Sequence, residues 1–189
     1  QRAGVPILGT PPEAIHRAED REEFTQIVRD LGLQQPPSGM ARTFKEAREV
    51  AGEIGYPVMV RPSYVLGGRA MEVCNTEADL RHYMTHAVNV SDGHPVLIDR
   101  FLSDATEVDV DAVRDGQRTI ICGVLEHIEE AGIHSGDSLM TLPPYSLSAA
   151  IVQQVSYAAR RLADAVGVIG LMNVQFAIKN DDIYVLEVN

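Results

Sequence analysis

A strictly alternating stretch near the middle of the chain restricts the possible folds more than any other part of the sequence. From Glu107 to Val113 the order is Glu-Val-Asp-Val-Asp-Ala-Val, and successive side chains of a β-strand point to opposite faces. The stretch therefore predicts a strand with one acidic face and one apolar face. Asp115-Gly116 is a typical hairpin turn, and a second strand is predicted over 118–126. We expect an antiparallel sheet at this point of the chain.

Helices and further strands surround this hairpin in a mixed order. Apolar residues at helical spacing, with capping residues and closing glycines, predict helices over 20–31, 44–54 and 148–166. A further helix is predicted after a cap at Thr76, with Leu80, Tyr83, Met84 and Ala87 facing inward. Apolar runs predict strands over 5–8, 57–61, 70–74 and 95–101, and a final hairpin over 171–178 and 183–189 that turns at Asn180-Asp181-Asp182. Residues 34–39 read as a linker and 129–147 as irregular. This mixed order favours an α+β fold with antiparallel sheets over a doubly wound parallel sheet.

The composition excludes some classes of function. Sixteen basic and 27 acidic residues give a net charge of −11, which argues against a nucleic-acid surface but leaves room for a nucleotide held by a few arginines. No signal peptide and no apolar run of membrane-spanning length is found, and the two cysteines lack metal-site spacing. A reduced, cytoplasmic protein without membrane contact is expected. The first residue is not Met and the last lies in a strand pattern, so a fragment is expected.

The stretch RPSYVLGGR, residues 61–69, is a candidate phosphate-binding segment. A strand ends at Arg61, and a loop with adjacent glycines, Gly67 and Gly68, leads to Arg69. Glycines let backbone amides approach an anion closely, and arginines grip phosphate oxygens. The pattern is not a P-loop, because it lacks G-x-x-x-x-G-K-[ST]. A simple glycine hairpin is the alternative.

The C-terminal hairpin holds a candidate metal site. Glu187 and Asn189 share one face of their strand, and a three-residue turn would place Gln175 opposite Glu187. Magnesium prefers oxygen ligands with few carboxylates when phosphate oxygens complete its shell. The alternative is a polar face exposed to solvent.

The remaining polar features have ordinary explanations when they are considered alone. The acidic face of Glu107, Asp109 and Asp111 reads as a solvated strand face, one member of which could accept a bond from a ribose hydroxyl. The loop around His134 is rich in small residues, as ligand-contacting loops often are. No nucleophile paired with a base is apparent.

Six segments, in order and spacing, resemble one family. They are RAEDREEF, RPSYVLGGRAMEV, EVDVDAV, EHIEEAGIHSGDS, LMNVQFAI and YVLEVN, and they resemble the large chain of carbamoyl-phosphate synthase along essentially all 189 residues. The resemblance implies one ATP-grasp module, an α+β fold in which two lobes with antiparallel sheets clasp ATP. The segments SYVLGGRAM and Leu142-Pro143-Pro144-Tyr145 are similar to the second module. That module is expected to phosphorylate carbamate with ATP and Mg²⁺ or Mn²⁺, in arginine and pyrimidine biosynthesis.

The resemblance also implies residue roles. Arg21 and Arg61 match phosphate-contacting arginines, and Gly67 and Gly68 match the glycine flap. The residues that match adenine, ribose and nucleotide-loop contacts are Arg100, Leu102, Glu107, Gly132, Ile133, His134 and Ser135. The metal ligands implied are Gln175, Glu187 and Asn189, with Arg61, Glu187 and Asn189 acting in catalysis; Asp109 and Asp111 remain ordinary strand residues.

Two lobes and several partners are expected from the same resemblance. Residues 1–104 would form an N-terminal helical segment with the first lobe, and 105–189 a second, truncated lobe. The rest of the large chain and a glutamine-hydrolysing small chain are the implied partners. The family continues beyond the final Asn with Pro-Arg, so this piece is expected to bind Mg-nucleotide without being a competent enzyme alone. Alternatives are another ATP-grasp carboxylate-amine ligase, a biotin carboxylase, or a nucleotide-binding module without activity.

Overall fold

The computed structural model describes residues 7–62, 71–90, 95–133 and 135–189, and it divides them between two compact units. Unit 1 contains residues 1–35 and 104–189, and unit 2 contains residues 36–103. Each unit combines helices with one antiparallel sheet, so the α+β class predicted from the sequence is confirmed. No helix in the described part of the chain is long and apolar enough to cross a membrane.

Unit 2 is a four-stranded antiparallel sheet covered by two helices. The strand order is β1-β4-β2-β3. Its elements are β1 Ser38–Ala41, α3 Phe44–Ile54, β2 Val58–Pro62, β3 Glu72–Cys74, α4 Glu77–Val90 and β4 Val96–Arg100. Helix α3 begins at the predicted cap, where the hydroxyl of Thr43 accepts a bond from the backbone N–H of Glu46. Val58, Val60 and Ile98 are fully buried between sheet and helices.

Unit 1 is a five-stranded antiparallel sheet with three helices. The strand order is β7-β6-β5-β8-β9. Its elements are α1 Pro12–Glu19, α2 Arg21–Asp30, β5 Thr106–Arg114, β6 Thr119–His127, a short 3₁₀ turn Ser135–Asp137, β7 Met140–Thr141, α5 Ala149–Val166, β8 Gly170–Lys179 and β9 Asp182–Val188. Helix α5 runs from its Ser148 cap to Gly167, which adopts the left-handed conformation that ends many helices.

The apolar face of this sheet forms the core of unit 1. Val108 and Val110 of β5, and Val174 and Phe176 of β8, are fully buried in one cluster with helix α5. The alternation seen in the sequence therefore places one face of the sheet against the helix. The opposite face carries the polar side chains of β5 and β8.

The first helices belong to unit 1 and not to the lobe that follows them in sequence. Ala14 of α1 and Phe24 and Val28 of α2 are buried in the same cluster as α5. The sequence predicts residues 1–104 as one body, but the structure groups 1–35 with 104–189. The physical reason is that the apolar stripe of α2 is buried against elements that come after residue 104.

Three local predictions are corrected by the structure. Ile7 and Leu8 are not in a strand, and residues 5 and 6 lie outside the described residues. The predicted linker 34–39 overlaps β1, which begins at Ser38 and pairs with β4. The final hairpin turns through two residues, Asn180 and Asp181, both with positive φ, and that conformation is typical of a type I′ turn.

Candidate functional site

A row of polar side chains crosses the face of the unit 1 sheet that is turned away from helix α5. Strand register places Glu107, Asp109 and Asp111 of β5 opposite Ala177, Gln175 and Asn173 of β8. Strand β9 continues the row, because Gln175 is opposite Glu187. We call the set Glu107, Asp109, Asp111, His127, Asn173, Gln175, Glu187 and Asn189 the polar face.

The centre of the polar face is buried, which corrects the prediction of a solvated strand face. Glu107 is 7% exposed, Asp109 is 6% exposed and His127 is 5% exposed. The outer acidic residue of β5, Asp111, is exposed to solvent, where it accepts a hydrogen bond from the Asn173 amide over 2.8 Å. Buried carboxylates require compensation by partners, so these side chains have a purpose beyond solubility.

An imidazole ring lies between the two buried carboxylates. The His127 Nδ1 atom is 3.6 Å from Glu107 Oε2, and His127 Nε2 is 3.4 Å from Asp109 Oδ1. The backbone N–H of Gly132 donates to Glu107 Oε1 over 2.9 Å. Glu107 therefore accepts one hydrogen bond, from the loop amide, and its other carboxylate oxygen faces the ring.

Burial raises the pKa of the Glu107 carboxyl above its ordinary value. The Gly132 hydrogen bond and His127 oppose this shift, while the negative charges of Asp109 and Glu187 add to it. The influence of Glu187 shows that the metal-ligand candidates and Glu107 share one electrostatic environment. A cation placed on this face would relieve the repulsion between these carboxylates.

The raised pKa of Glu107 predicts a pH-dependent stability. A carboxyl with a folded pKa above its unfolded value keeps more protons in the native state, so its contribution is present at low pH and is lost as pH rises through the folded pKa. In metal-free buffer, Glu107→Gln is expected to gain stability relative to the wild type as pH rises from about 4 to 7. Denaturant unfolding followed by circular dichroism across this range measures the difference. Asp111→Asn is the control, and an equal gain in that exposed position would contradict the burial argument.

The C-terminal hairpin does bring Gln175 opposite Glu187, but by a different route from the one predicted. With a two-residue turn, Lys179 is opposite Asp182, and the simple register would displace Gln175 by one residue. A β-bulge between Gln175 and Phe176 restores the pair Gln175–Glu187, because a bulge opposes two residues to one. The amide of Asn189 donates to Glu187 Oε1 over 3.1 Å.

This set of donors fits a hard divalent cation. One carboxylate and two amide groups supply oxygen ligands with a low ligand charge, as magnesium and manganese sites shared with phosphate require. Across the described ranges there is no metal-type cluster of three or more His, Cys, Asp or Glu. The amide-rich composition of the set accounts for this, since Gln and Asn are not among those four residue types.

Unit 2 holds the candidate phosphate arginine and the candidate adenine strand. Arg61 of β2 is half-buried, and its Nε is 3.3 Å from the Asp99 carboxylate of β4. Arg100 is the last residue of β4, and its guanidinium donates to the Ile54 carbonyl over 2.8 Å. Its side chain therefore binds the C-terminal end of helix α3. Leu102 lies in the connection to unit 1. Any adenine contact of Arg100 would involve its backbone.

The other predicted residues are placed as follows. Arg21 is the first residue of α2, after the Asp20 cap, in unit 1. Gly132 contacts Glu107, Ile133 is exposed in the same loop, and the backbone of Ser135 begins the 3₁₀ turn. Gly67, Gly68 and His134 lie outside the described residues.

Sequence reasoning did not single out His127, and it left Asp109 as an ordinary strand residue. His127 is the last residue of β6, where polar and apolar residues are mixed and give no clear pattern. Whether Glu107 and His127 lie side by side depends on the register of the hairpin. The signal was present in the predicted hairpin, since strands that turn at Asp115-Gly116 place residues 107 and 127 near one another. The position of the β-bulge at Asp111/Ala112 is what the sequence does not specify.

Three solved structures are similar to this chain over nearly all of its length. A biotin carboxylase–βγ-ATP complex from Campylobacter jejuni matches with a TM-score of 0.84 at 22% identity, over 100% of this chain and 44% of that one. A D-alanyl-alanine synthetase A from Vibrio cholerae matches with a TM-score of 0.79 at 19% identity, over 99% and 60%. An ADP complex of N5-carboxyaminoimidazole ribonucleotide synthetase matches with a TM-score of 0.76. The predicted ATP-grasp fold is thereby confirmed.

Sequence comparison identifies the family to which this chain belongs. A carbamoyl phosphate synthase large chain, C-terminal section, from Aquifex aeolicus is 58% identical over all of this chain and 35% of that protein. The large chains of Vibrio cholerae and Myxococcus xanthus are 56% and 60% identical over all of this chain, which spans 18% of each. The family described as carbamoyl-phosphate synthase L chain, ATP binding domain, matches residues 20–189. The chain therefore belongs to this ATP-binding domain family of the carbamoyl-phosphate synthase large chain.

Proposed function

We propose that this chain is the Mg-nucleotide-binding part of a carbamoyl-phosphate synthase module that phosphorylates carbamate to carbamoyl phosphate. The observation that carries the proposal is the bulged hairpin, which places Gln175 opposite Glu187 and beside Asn189. The same sheet face carries the buried Glu107. One face of unit 1 thus combines a candidate cation site with a candidate ribose acceptor.

Each candidate residue has a role that its chemistry supports. Glu107, oriented by Gly132, accepts hydrogen bonds from the ribose hydroxyls. Arg61 neutralises phosphate charge, and its ion pair with Asp99 holds the guanidinium in place. Gln175, Glu187 and Asn189 would hold Mg²⁺ or Mn²⁺. When bound, the metal would neutralise phosphate charge during transfer. Arg21, Gly67, Gly68, Ile133, His134 and Ser135 stay predictions from the resemblance.

The proposed reaction does not require a nucleophilic side chain of the protein. Phosphoryl transfer depends on position and charge neutralisation more than on covalent catalysis. The candidate side chains are basic, acidic or amide groups, and none is required to form a bond with the substrate. Burial of Glu107 also keeps water away from the proposed ribose contact.

The second, carbamate-phosphorylating module is the preferred assignment. The name of the Aquifex relative, a C-terminal section, supports it, as do the segment SYVLGGRAM and the residues from Leu142 to Tyr145. The rest of a large chain, and a small chain that releases ammonia from glutamine, would be partners in cytoplasmic arginine and pyrimidine synthesis. The main competing function is nucleotide binding without turnover.

Calorimetric titration of this chain with ADP tests the proposal. Binding is expected in the presence of Mg²⁺, and Glu187→Gln is expected to weaken it by about 10–100-fold, the usual effect of disturbing a metal site. Asp182→Asn is the matched control, since it removes one negative charge from the same strand at the far end of β9. A non-hydrolysable ATP analogue serves as a second ligand.

Two results would contradict the proposal. Equal losses in Glu187→Gln and Asp182→Asn would mean that only the overall charge of the sheet matters. A folded wild-type chain that binds no nucleotide, with or without magnesium, would mean that this chain does not form the site. Turnover measured in a complete large chain then separates an enzyme module from a binding module.

A further inference from the structure

We propose that His127 is a positioning residue, which fixes the carboxylate of Glu107 in the orientation that receives a ribose diol. The proposal rests on the proposed function, in which Glu107 contacts the ribose. It concerns a buried side chain that the resemblance assigns no role, and whose two ring nitrogens both face carboxylate oxygens.

The location of the ring is costly for a residue that only packs. His127 is 5% exposed, and its Nε2 atom and the facing Asp109 Oδ1 atom are both buried without a hydrogen-bond partner. Unpartnered buried polar atoms are costly, and apolar residues would fill the same space at lower cost. The 3.4 Å separation between these two atoms is short enough for a small movement to complete a hydrogen bond.

The arrangement sets the direction of each Glu107 oxygen. Oε1 receives the Gly132 N–H, and Oε2 faces His127 Nδ1. A carboxylate oxygen has two acceptor positions, so each Glu107 oxygen keeps one position for a further donor. Two neighbouring hydroxyls, as in a ribose, match two such oxygens.

Asp109 anchors the ring on its other side. The ring lies between the two carboxylates and keeps their negative charges apart. Without the ring, two buried carboxylates on one strand face would repel each other, and Glu107 would turn toward solvent or take up a proton. Asp109 thereby acts on Glu107 through His127, although it is expected to contact no ligand.

Ribose preference is the readout that separates positioning from general structure. We would measure, by calorimetry with Mg²⁺, the ratio of dissociation constants for 2′,3′-dideoxyADP and ADP. The wild type is expected to prefer ADP by about tenfold or more, as for hydrogen bonds to a charged group. Glu107→Gln shows how far this ratio falls when the ribose acceptor itself is changed. His127→Gln is expected to lower the ratio to a similar value, while the affinity for dideoxyADP stays within about twofold of the wild type. Asp111→Asn is the control on the same face.

Each outcome of this experiment either supports or overturns the positioning role of His127. Equal weakening of both nucleotides by His127→Gln, with the ribose preference kept, would show a merely structural role and overturn the inference. No preference in the wild type, or no effect of Glu107→Gln, would overturn the proposed ribose contact itself, and with it this inference. If His127→Gln does not fold, Asp109→Asn removes the far anchor while both other side chains remain. An unchanged ratio in that variant overturns the inference, and a reduced ratio supports it.

Discussion

Replacing Phe176 with alanine is expected to lower the free energy of unfolding of unit 1 by about 3–5 kcal/mol. Phe176 is fully buried and is among the largest core side chains. Its removal loses the transfer free energy of the ring and leaves a cavity between the sheet and helix α5. Because Gln175 is its neighbour in β8, loosening this strand is also expected to weaken Mg-nucleotide binding.

Denaturant unfolding followed by circular dichroism measures the effect of Phe176→Ala, and hydrogen exchange of β8 amides locates it. Leu171→Ala is the matched control in the same strand, since Leu171 is 84% exposed and should change stability by no more than about 0.5 kcal/mol. Similar losses for the two variants would mean that strand propensity, and not core packing, determines the stability of β8.

Replacing Glu126 with alanine is expected to cost about 3 kcal/mol. Glu126 is 1% exposed on the apolar side of β6. Its carboxylate accepts the backbone N–H groups of Tyr145 and Ser146, each over 3.0 Å, and the hydroxyl of Ser146. Hydrogen bonds to a charged group contribute about 1.5–3 kcal/mol each, and part of this loss is recovered by solvation of the released loop.

Glu126→Gln provides a stricter version of this experiment. The amide keeps the size of the side chain. Its oxygen can still accept the Tyr145 and Ser146 N–H groups, and its NH₂ group can donate to the Ser146 hydroxyl, so only the part of the loss that depends on the negative charge should remain. Glu130→Ala is the control, because Glu130 is an exposed acid in the loop after the same strand. Full stability of Glu126→Gln would show that the hydrogen bonds, without the negative charge, are enough to hold residues 145–146 to the strand.

The sequence predicted best those features that follow from side-chain periodicity. The alternation from Glu107 to Val113 correctly predicted a strand with two different faces, and it remained correct because helix α5 covers the valines. Helix α3 was equally clear, since Thr43 caps its start and Gly55 follows its end. The family depended on resemblance. Strand spacing already brought Gln175, Glu187 and Asn189 together as candidates, but the choice of a metal site over a solvent face depended on resemblance, because these residues suit either.

Register and long-range packing were beyond the sequence. A bulge such as the one beside Gln175 inserts a residue into one strand without a strong local signal. Here the turn is one residue shorter than predicted, and the bulge compensates for this difference, so Gln175 is still opposite Glu187. The burial of Asp109 depends on His127, which lies on the neighbouring strand. Strand β1 was missed because its residues, Ser38 to Ala41, have low strand propensity and become a strand by pairing with β4.

The division of the chain has a consequence for the order of events in folding. Unit 2 is continuous and complete once residue 103 has been synthesised, whereas the two segments of unit 1 are separated by it. Strand β9 meets the earlier segment directly, where the Val185 N–H donates to the Gln34 carbonyl over 2.8 Å. Such distant pairing requires closure of a long loop, which slows assembly. Prior folding of unit 2 is expected to shorten that loop, so the insertion favours the return of the last strands to α1 and α2.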